Sequence, residues 1–401
     1  MWFSQAFSLI GTVVVEFALA WYLTRETGSA TILATAMLVA LIPQIVLGPF
    51  IGPLVDRWNR KKIMIFADLS IAIVTLGLVL LFLTDTIQIW HIYVAMVLRS
   101  IGQTFHFPAV LASIATIVPE KHLTRAAGFN QILQGVVSIA APPLGALLME
   151  TLPMQGVLAV DIGTAIIAIG FILPLTIPQP VRTTLAEKAS IIGDMMQGFR
   201  YLMARRGLTV LMWLFALLGF FTGPAVSLFP MLVNLKLGGD VLKLGWLSAI
   251  MGIGNITAGF LLGIWGGFKK RIYLLLLGLL IIGITNVGLG FTSERLFYFI
   301  LVDSFILGVG ITMTDAPFLA IMNSIVAKDM QGRVFTLINS LSGLMIPIGL
   351  AIAGPAADFM GIEWIYFICG GAFLIITLLG FFSKPLMELE KHPPEEESQP
   401  T

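Results

Sequence analysis

The sequence predicts an all-α polytopic membrane protein of twelve transmembrane helices, and three observations carry that expectation. Of 401 residues, 58% are hydrophobic and 11% charged, with a mean hydropathy of +0.97; a soluble domain carries roughly 25% charge. Apolar runs of about 20 residues, enough to cross a hydrocarbon core as a helix, recur from end to end. Basic residues gather in alternate connections between those runs, as expected when positive loops stay in the cytoplasm.

In chain order the runs fall at 2–23, 30–55, 63–83, 90–117, 125–149, 157–177, 208–235, 243–266, 272–291, 296–323, 334–358 and 363–383. Lipid offers no partner to open backbone groups, so each run is read as a helix. Arg57, Arg60, Lys61, Lys62, Lys121, Arg125, Lys269, Lys270, Arg271, Lys328 and Arg333 lie in one set of connections. Arg25, Lys236, Lys243 and Arg295 lie in the other. This asymmetry places both termini in the cytoplasm of a cell-membrane protein. The organisation expected is a six-helix bundle at 1–178, a middle loop at 179–207, a second bundle at 208–384 and a disordered tail at 385–401. In the middle loop Pro178-Gln179-Pro180 ends the sixth run, and Ile191, Met195, Phe199 and Leu202 recur at helical steps. They predict an amphipathic helix on the membrane surface, with Arg205 and Arg206 at the headgroups. The start carries no basic n-region and no cleavage site follows the first run, which argues against a signal peptide. The first run begins almost at Met1, which argues for a short missing cytoplasmic lead.

Several function classes are excluded at this level. The single Cys369 allows no disulfide framework. No Gly-x-x-x-x-Gly-Lys-Ser/Thr loop occurs, so transport would draw on an ion gradient. The four His are scattered without metal-ligand spacing or a nucleophile–base pair, so neither an enzyme, a metal site nor a cofactor is expected. The expected partners are a small amphipathic substrate, protons and the bilayer, with no nucleic acid and a monomeric chain.

Polar residues inside the runs carry the remaining chemistry. On the fourth run Arg99, Gln103 and His106 share one helical face, with Ser113 two turns on. An intramembrane charge costs on the order of 3 kcal/mol on insertion scales, so Arg99 should face a partner or a cavity. The first run carries a matching stripe of Gln5, Ser8, Thr12 and Glu16. Glu16, Arg99 and Asp303 stand at similar depths, and Glu16 and Asp303 are expected to compete for Arg99, exchanging a proton as they do. Asp315 and Asp161 are candidates for a second proton or cation site, and Asp68 is expected to pair with the basic residues of the 57–62 connection. A broad, mostly apolar substrate pocket is expected from Thr12, Gln103, His106, Gln131, Gln134, Phe220, Phe221 and Met313. The halves also repeat: Gly48, Gly52 and Arg60 recur as Gly259, Gly263 and Arg271 at one constant offset, and Ile117, Val118 and Arg125 recur as Ile325, Val326 and Arg333 at another. Two pseudo-symmetric six-helix bundles follow.

The spacing Gly52-x-x-x-Asp56-Arg57-x-x-Arg60-Lys61 resembles the loop signature between helices 2 and 3 of the major facilitator superfamily of secondary transporters. The resemblance implies that family's fold, a cavity lined by helices 1, 4, 7 and 10, and a gate made by Gly52, Asp56, Arg57, Arg60 and Lys61 with Arg333. Asn59 stands where the family has Gly, a position Asn can fill in left-handed backbone geometry. Arg99-Ser100-Ile101-Gly102-Gln103 resembles the helix-4 pattern linked there to proton coupling. Ala141-Pro142-x-x-Gly145-Ala146 resembles the antiporter signature that bends helix 5 against helix 8, with Val137 where that pattern has Gly. Thr27-Gly28-Ser29-Ala30, Phe105-His106 with Pro108-Ala109, and Gly332-Arg333-Val334-Phe335 resemble strings of bacterial macrolide-efflux proteins. Together they imply a proton-driven exporter of amphipathic drugs. A siderophore or metabolite exporter, and a proton-independent lipid flippase or facilitator, are the alternatives on the same scaffold.

Overall fold

A computed structural model describes residues 1–178, 191–327 and 330–391. The Gly52 and Asp56 side chains, Lys328 and the residues after 391 lie outside the described residues. Among the described residues every regular element is a helix: α1 Trp2–Thr27, α2 Ala30–Arg57, α3 Arg60–Leu83, α4 Ile89–Ile117, α5 Leu123–Thr151 and α6 Met154–Ile172 come first. Then follow α7 Ile191–Ala204, α8 Arg206–Ser227, α9 Phe229–Lys236, α10 Val241–Trp265, α11 Arg271–Gly290, α12 Phe297–Ile325, α13 Gln331–Met360, α14 Ile362–Phe382 and the short α15 Lys384–Met387. Among the described residues, eleven helices are long and apolar enough to cross a membrane. The long helix α4 falls outside that set because Arg99, Gln103 and His106 break its apolar run.

Local chemistry sets the connections. Gly28 closes α1 in left-handed geometry (φ 59°), its N–H donating to Thr24 O at 3.1 Å. A residue with a Cβ is strained there. The next residue, Ser29, opens α2 by accepting from Ile32 N. Asn59 is extended (φ −70°) rather than left-handed, and its side chain accepts from Lys62 N at 3.1 Å to cap α3. The departure from the family's Gly is therefore a helix cap, not a turn residue. The seventh apolar run is two helices instead of one, since the chain leaves helical geometry at Leu228 beside Pro224 and Pro230.

The chain divides into two compact units. In the first, α4 packs on α2 and α3, α6 on α1 and α3, and α5 on α1. Pro230–Ala249, which holds most of α9 and the start of α10, belongs to this unit. Asn234 Nδ2 there donates to Thr24 O at 3.3 Å. In the second unit α8 packs on α13 and α14, and α11 on α12 and α14. The pairs α1–α5, α1–α6, α3–α4 and α3–α6 thus recur as α8–α13, α8–α14, α11–α12 and α11–α14. This is the duplication hinted at by the sequence.

In a bilayer, lipid is as apolar as the helix surfaces, so close packing and polar contacts hold helices together. α3 shows the resulting division of faces. Phe66, Ile73 and Leu80 are 65%, 60% and 54% exposed, whereas Asp68 and Thr75 are buried at 2% and 0%. Arg205 donates to Ile325 O at 3.0 Å and lies over the Tyr201 ring, while Arg206 is exposed. One expectation at the second unit's end is corrected. The chain after 384 is not a free tail at once, because Leu386 and Leu389 are buried and Glu390 accepts from Arg271 N at the start of α11. Two leucines at that spacing give the segment an apolar side to dock, and its acid meets a helix N-terminus.

Candidate functional site

The polar stripes of α1, α3 and α4 meet inside the first unit as one buried column. α1 contributes Gln5, Ser8 and Thr12, all under 9% exposed, with Glu16 one turn further and exposed. From Ser8 to Glu16 is ~12 Å along the axis. α3 contributes Asp68 and Thr75, two turns apart, and α4 contributes Arg99, Gln103 and His106.

At one end of the column Arg99 Nη1 is bound to Asp161 Oδ2 of α6 at 2.5 Å, with both residues under 5% exposed. Thr75 Oγ1 stands 2.9 Å from the same oxygen and also accepts from Arg99. Gly11 of α1 lets α6 come this close: a Cβ there would stand 2.8 Å from Asp161 Oδ1 and 3.2 Å from Asp161 Cα. Glu16 is near enough to experience the charges of both Arg99 and Asp161. The expected exchange of Arg99 between Glu16 and Asp303 is corrected on this point, since the carboxylate bound to Arg99 is Asp161. Asp303 is enclosed in the second unit, where α12 faces Gly288 of α11. Depth along a helix does not say which neighbour a residue faces, and the missing information was that α3 packs on α4 and α6, and α6 on α1 and α3.

Midway along the column Gln103 Nε2 donates to Thr12 Oγ1 at 2.9 Å. At the other end Ser8 Oγ donates to Asp68 Oδ1 at 2.9 Å, and His106 Nε2 lies 3.3 Å from that oxygen. Asp68 was expected to pair with the basic connection, and it does not. It sits two turns inside α3, while Arg60 turns to Ala112 O of α4 at 2.8 Å and Lys61 to Leu173 O at 2.6 Å. The gate candidates Arg60 and Lys61 thus hold the ends of α4 and α6, and Arg57 is exposed.

The other candidates fall in three places. Gln131 and Gln134 of α5, with Asn130, Phe107 and Leu111, line a cleft of about 430 Å³ between α4 and α5. That size and its mostly apolar wall with a few amides suit a small-molecule site. In α5, Gly145 lies against Phe17 of α1, Ala141 is fully buried, and Pro142, Pro143 and Ala146 meet α10 at Gly245. A Cβ on Gly245 would stand 2.7 Å from that of Ala146, so the small residue permits the contact. In the second unit Phe220 and Phe221 are half-buried and pack edge-to-face at 5.0 Å, Met313 is half-buried, and Asp315 is exposed. Arg333 Nη1 lies 3.5 Å from Met330 Sδ.

Sequence reasoning missed Gly11 and Thr75. Thr75 carried a signal, since it stands seven residues from Asp68 on the same α3 face, as His106 does from Arg99 on α4. Gly11 carried none that separates it from the other 39 of the chain's 40 glycines.

Comparisons with known proteins agree with this architecture. A family model described as Major Facilitator Superfamily matches residues 1–242 and 211–401. Macrolide efflux protein A of Streptococcus pyogenes is 31% identical over 379 residues, 94% of each chain. Macrolide efflux protein A of Enterococcus faecalis is 32% identical over 323 residues, 80% of this chain and 100% of that one. The solved structure of a POT family transporter in complex with 5-aminolevulinic acid superposes with a TM-score of 0.73, covering 96% of this chain and 95% of that one. At 11% identity this is a likeness of fold alone. The chain thus belongs to the Major Facilitator Superfamily and, within it, resembles the macrolide efflux proteins.

Proposed function

We propose that this protein exports amphipathic drugs of the macrolide type across the cell membrane in exchange for protons. The cycle is one of alternating access by two six-helix bundles, with both chain termini in the cytoplasm and the chain acting as a monomer. Similarity to two macrolide efflux proteins supports the substrate class. The observation that carries the coupling is the buried Arg99–Asp161 pair with Glu16 exposed beside it.

A carboxylate held by a guanidinium stays ionised, whereas one that leaves it inside a membrane takes up a proton. Glu16 is the mobile acid of the trio, and Asp161 holds Arg99 in place between turnovers. Asp303 and Asp315 are further acids of the second bundle through which a proton could pass. The α4–α5 cleft with Gln131 and Gln134 offers amides to a polar edge of the drug and apolar surface to its body. Thr12, Gln103 and His106 face the same bundle interior, and Phe220, Phe221 and Met313 are the counterparts proposed for the second bundle. Gly52, Asp56, Arg57, Arg60, Lys61 and Arg333 form the proposed cytoplasmic gate. Ala141, Pro142 and Gly145 shape α5.

Everted membrane vesicles energised by a pH gradient test this reading. Radiolabelled erythromycin should accumulate inside, the accumulation should collapse with a protonophore, and Glu16→Gln should abolish it while leaving erythromycin binding intact. Uptake that runs only to equal concentrations and is unaffected by the protonophore would instead favour a facilitator, and unchanged export by Glu16→Gln would remove that residue from the mechanism.

A further inference from the structure

We infer that Asp68 and His106 form a second proton-binding site in the first bundle, two helical turns along the column from the Arg99–Asp161 pair. The site is fully enclosed: Asp68 is 2% exposed, His106 5%, Gln5 4% and Ser8 7%. One O–H, that of Ser8, donates to the carboxylate. Three polar atoms in the cluster have no hydrogen-bond partner: Asp68 Oδ2, His106 Nε2 and Gln5 Nε2. The His106 nitrogen is already 3.3 Å from Asp68 Oδ1, so a small ring rotation would complete an N–H···O bond.

Charge decides what this cluster does. With a neutral imidazole and an ionised carboxylate the pair holds one negative charge, on the stretches of α3 and α4 that also carry Met64, Ala109 and Val110 of the local core. A buried unpaired charge is costly, and a proton on His106 turns it into a neutral ion pair. Histidine is the side chain whose ordinary titration falls nearest neutrality. The step is one proton taken from water onto the imidazole, which carries the pair from a net charge of −1 to 0, and the reverse on release.

The surrounding charges leave this balance to the pair itself. On α1 the titratable groups flanking Ser8 are Glu16, two turns beyond it, and the Met1 amino group, two turns before it. α3 brings Arg60, two turns the other way and hydrogen-bonded to Ala112 O, with Lys61 engaged at Leu173 O. α4 brings Arg99 and α6 brings Asp161, which neutralise one another. Arg57 of α2 and Arg125 of α5 are exposed at the bundle end. Between the two sites the Thr12–Gln103 hydrogen bond bridges α1 and α4, so the column reads as two proton stations with a polar span between them.

The test does not depend on any substrate, so it can fail or succeed separately from the drug-export reading. The full chain, with its His labelled at both ring nitrogens and reconstituted in lipid nanodiscs, is titrated by nitrogen NMR. The sequence has four His, and the His106 signal is the one lost in His106→Gln. Over a titration from alkaline to acidic pH the His106 ring should change from the neutral to the doubly protonated form. In Asp68→Asn it should stay neutral over that range. Asp68→Ser, smaller and still able to accept from Ser8, gives the same comparison where the Asn variant fails to fold. A wild-type His106 that stays neutral throughout overturns the proposal, and so does one that protonates alike with and without the Asp68 charge.

Discussion

Asp161→Asn removes the carboxylate from a buried pair and leaves Arg99, 4% exposed, with no counter-charge bound to it. Two unit charges about 4 Å apart attract by about 4 kcal/mol at an effective dielectric of 20. Truncating one partner of a buried pair costs about 3–5 kcal/mol, because the other charge stays desolvated. Interhelical polar contacts in membranes run weaker, averaging ~0.6 kcal/mol, since the unfolded helices also find partners. A charge stranded among packed helices belongs to the former case, so a loss of about 3 kcal/mol is expected. That is more than a hundredfold in the folded-to-unfolded ratio. Arg99→Gln should cost a similar amount through Asp161. The double substitution Arg99→Gln with Asp161→Asn strands no charge and should recover at least half of the loss. Equilibrium unfolding of the four proteins in dodecyl maltoside micelles titrated with dodecyl sulfate measures this cycle. Single variants within about 0.5 kcal/mol of wild type, or a double variant as unstable as the sum of the singles, would refute the reasoning.

Three further outcomes follow from the same packing. Gly11→Val places a side chain where α6 now sits against α1, and overpacking of this kind costs about 1–3 kcal/mol. The loss should appear as lower thermal stability of the purified protein and a weakened Arg99–Asp161 coupling in the cycle above. Gln103→Leu removes the hydrogen bond to Thr12 and should cost about 1 kcal/mol, an amount that vanishes when Thr12→Val is already present. Gln134→Leu, in the α4–α5 cleft, should weaken binding of a macrolide about fivefold, the equivalent of one hydrogen bond, without altering His106 protonation. Equilibrium binding of labelled erythromycin to the purified chain checks it.

Apolar run length made the long helices legible, and composition alone placed the chain in a bilayer. The run at 90–117 was read as a helix despite Arg99, Gln103 and His106, and it is one, α4, although no long window of it is apolar enough to span. The shared face of Arg99, Gln103 and His106 was legible too, because a 3.6-residue period fixes which side chains of one helix point together. Partner choice was not. Asp161 lies 62 residues from Arg99, and periodicity within α6 gives no sign that α6 nests between α1 and α3. Asp68 misled for the same reason. Nearness in sequence to Arg60 and Lys62 suggested a loop pairing, while two turns of helix carried the acid inside to Ser8 and His106. The break at Leu228 was written in Pro224 and Pro230, but unbroken hydropathy across 208–235 hid it.

The Arg99–Asp161 pair also bears on how the protein is made. Arg99 leaves the ribosome 62 residues ahead of the acid it will hold. At about 5–20 residues per second, that is a wait of roughly 3–12 s. During it α4 must enter the bilayer with Arg99 not yet bound to Asp161, an insertion penalty of about 3 kcal/mol. Nascent α4 is therefore expected to linger beside the insertion machinery, with Thr75 of α3 as its temporary companion, until α6 arrives. A transcript truncated between α5 and α6 would release a five-helix fragment in which Arg99 lacks Asp161, and such a fragment is expected to be degraded faster than the full chain.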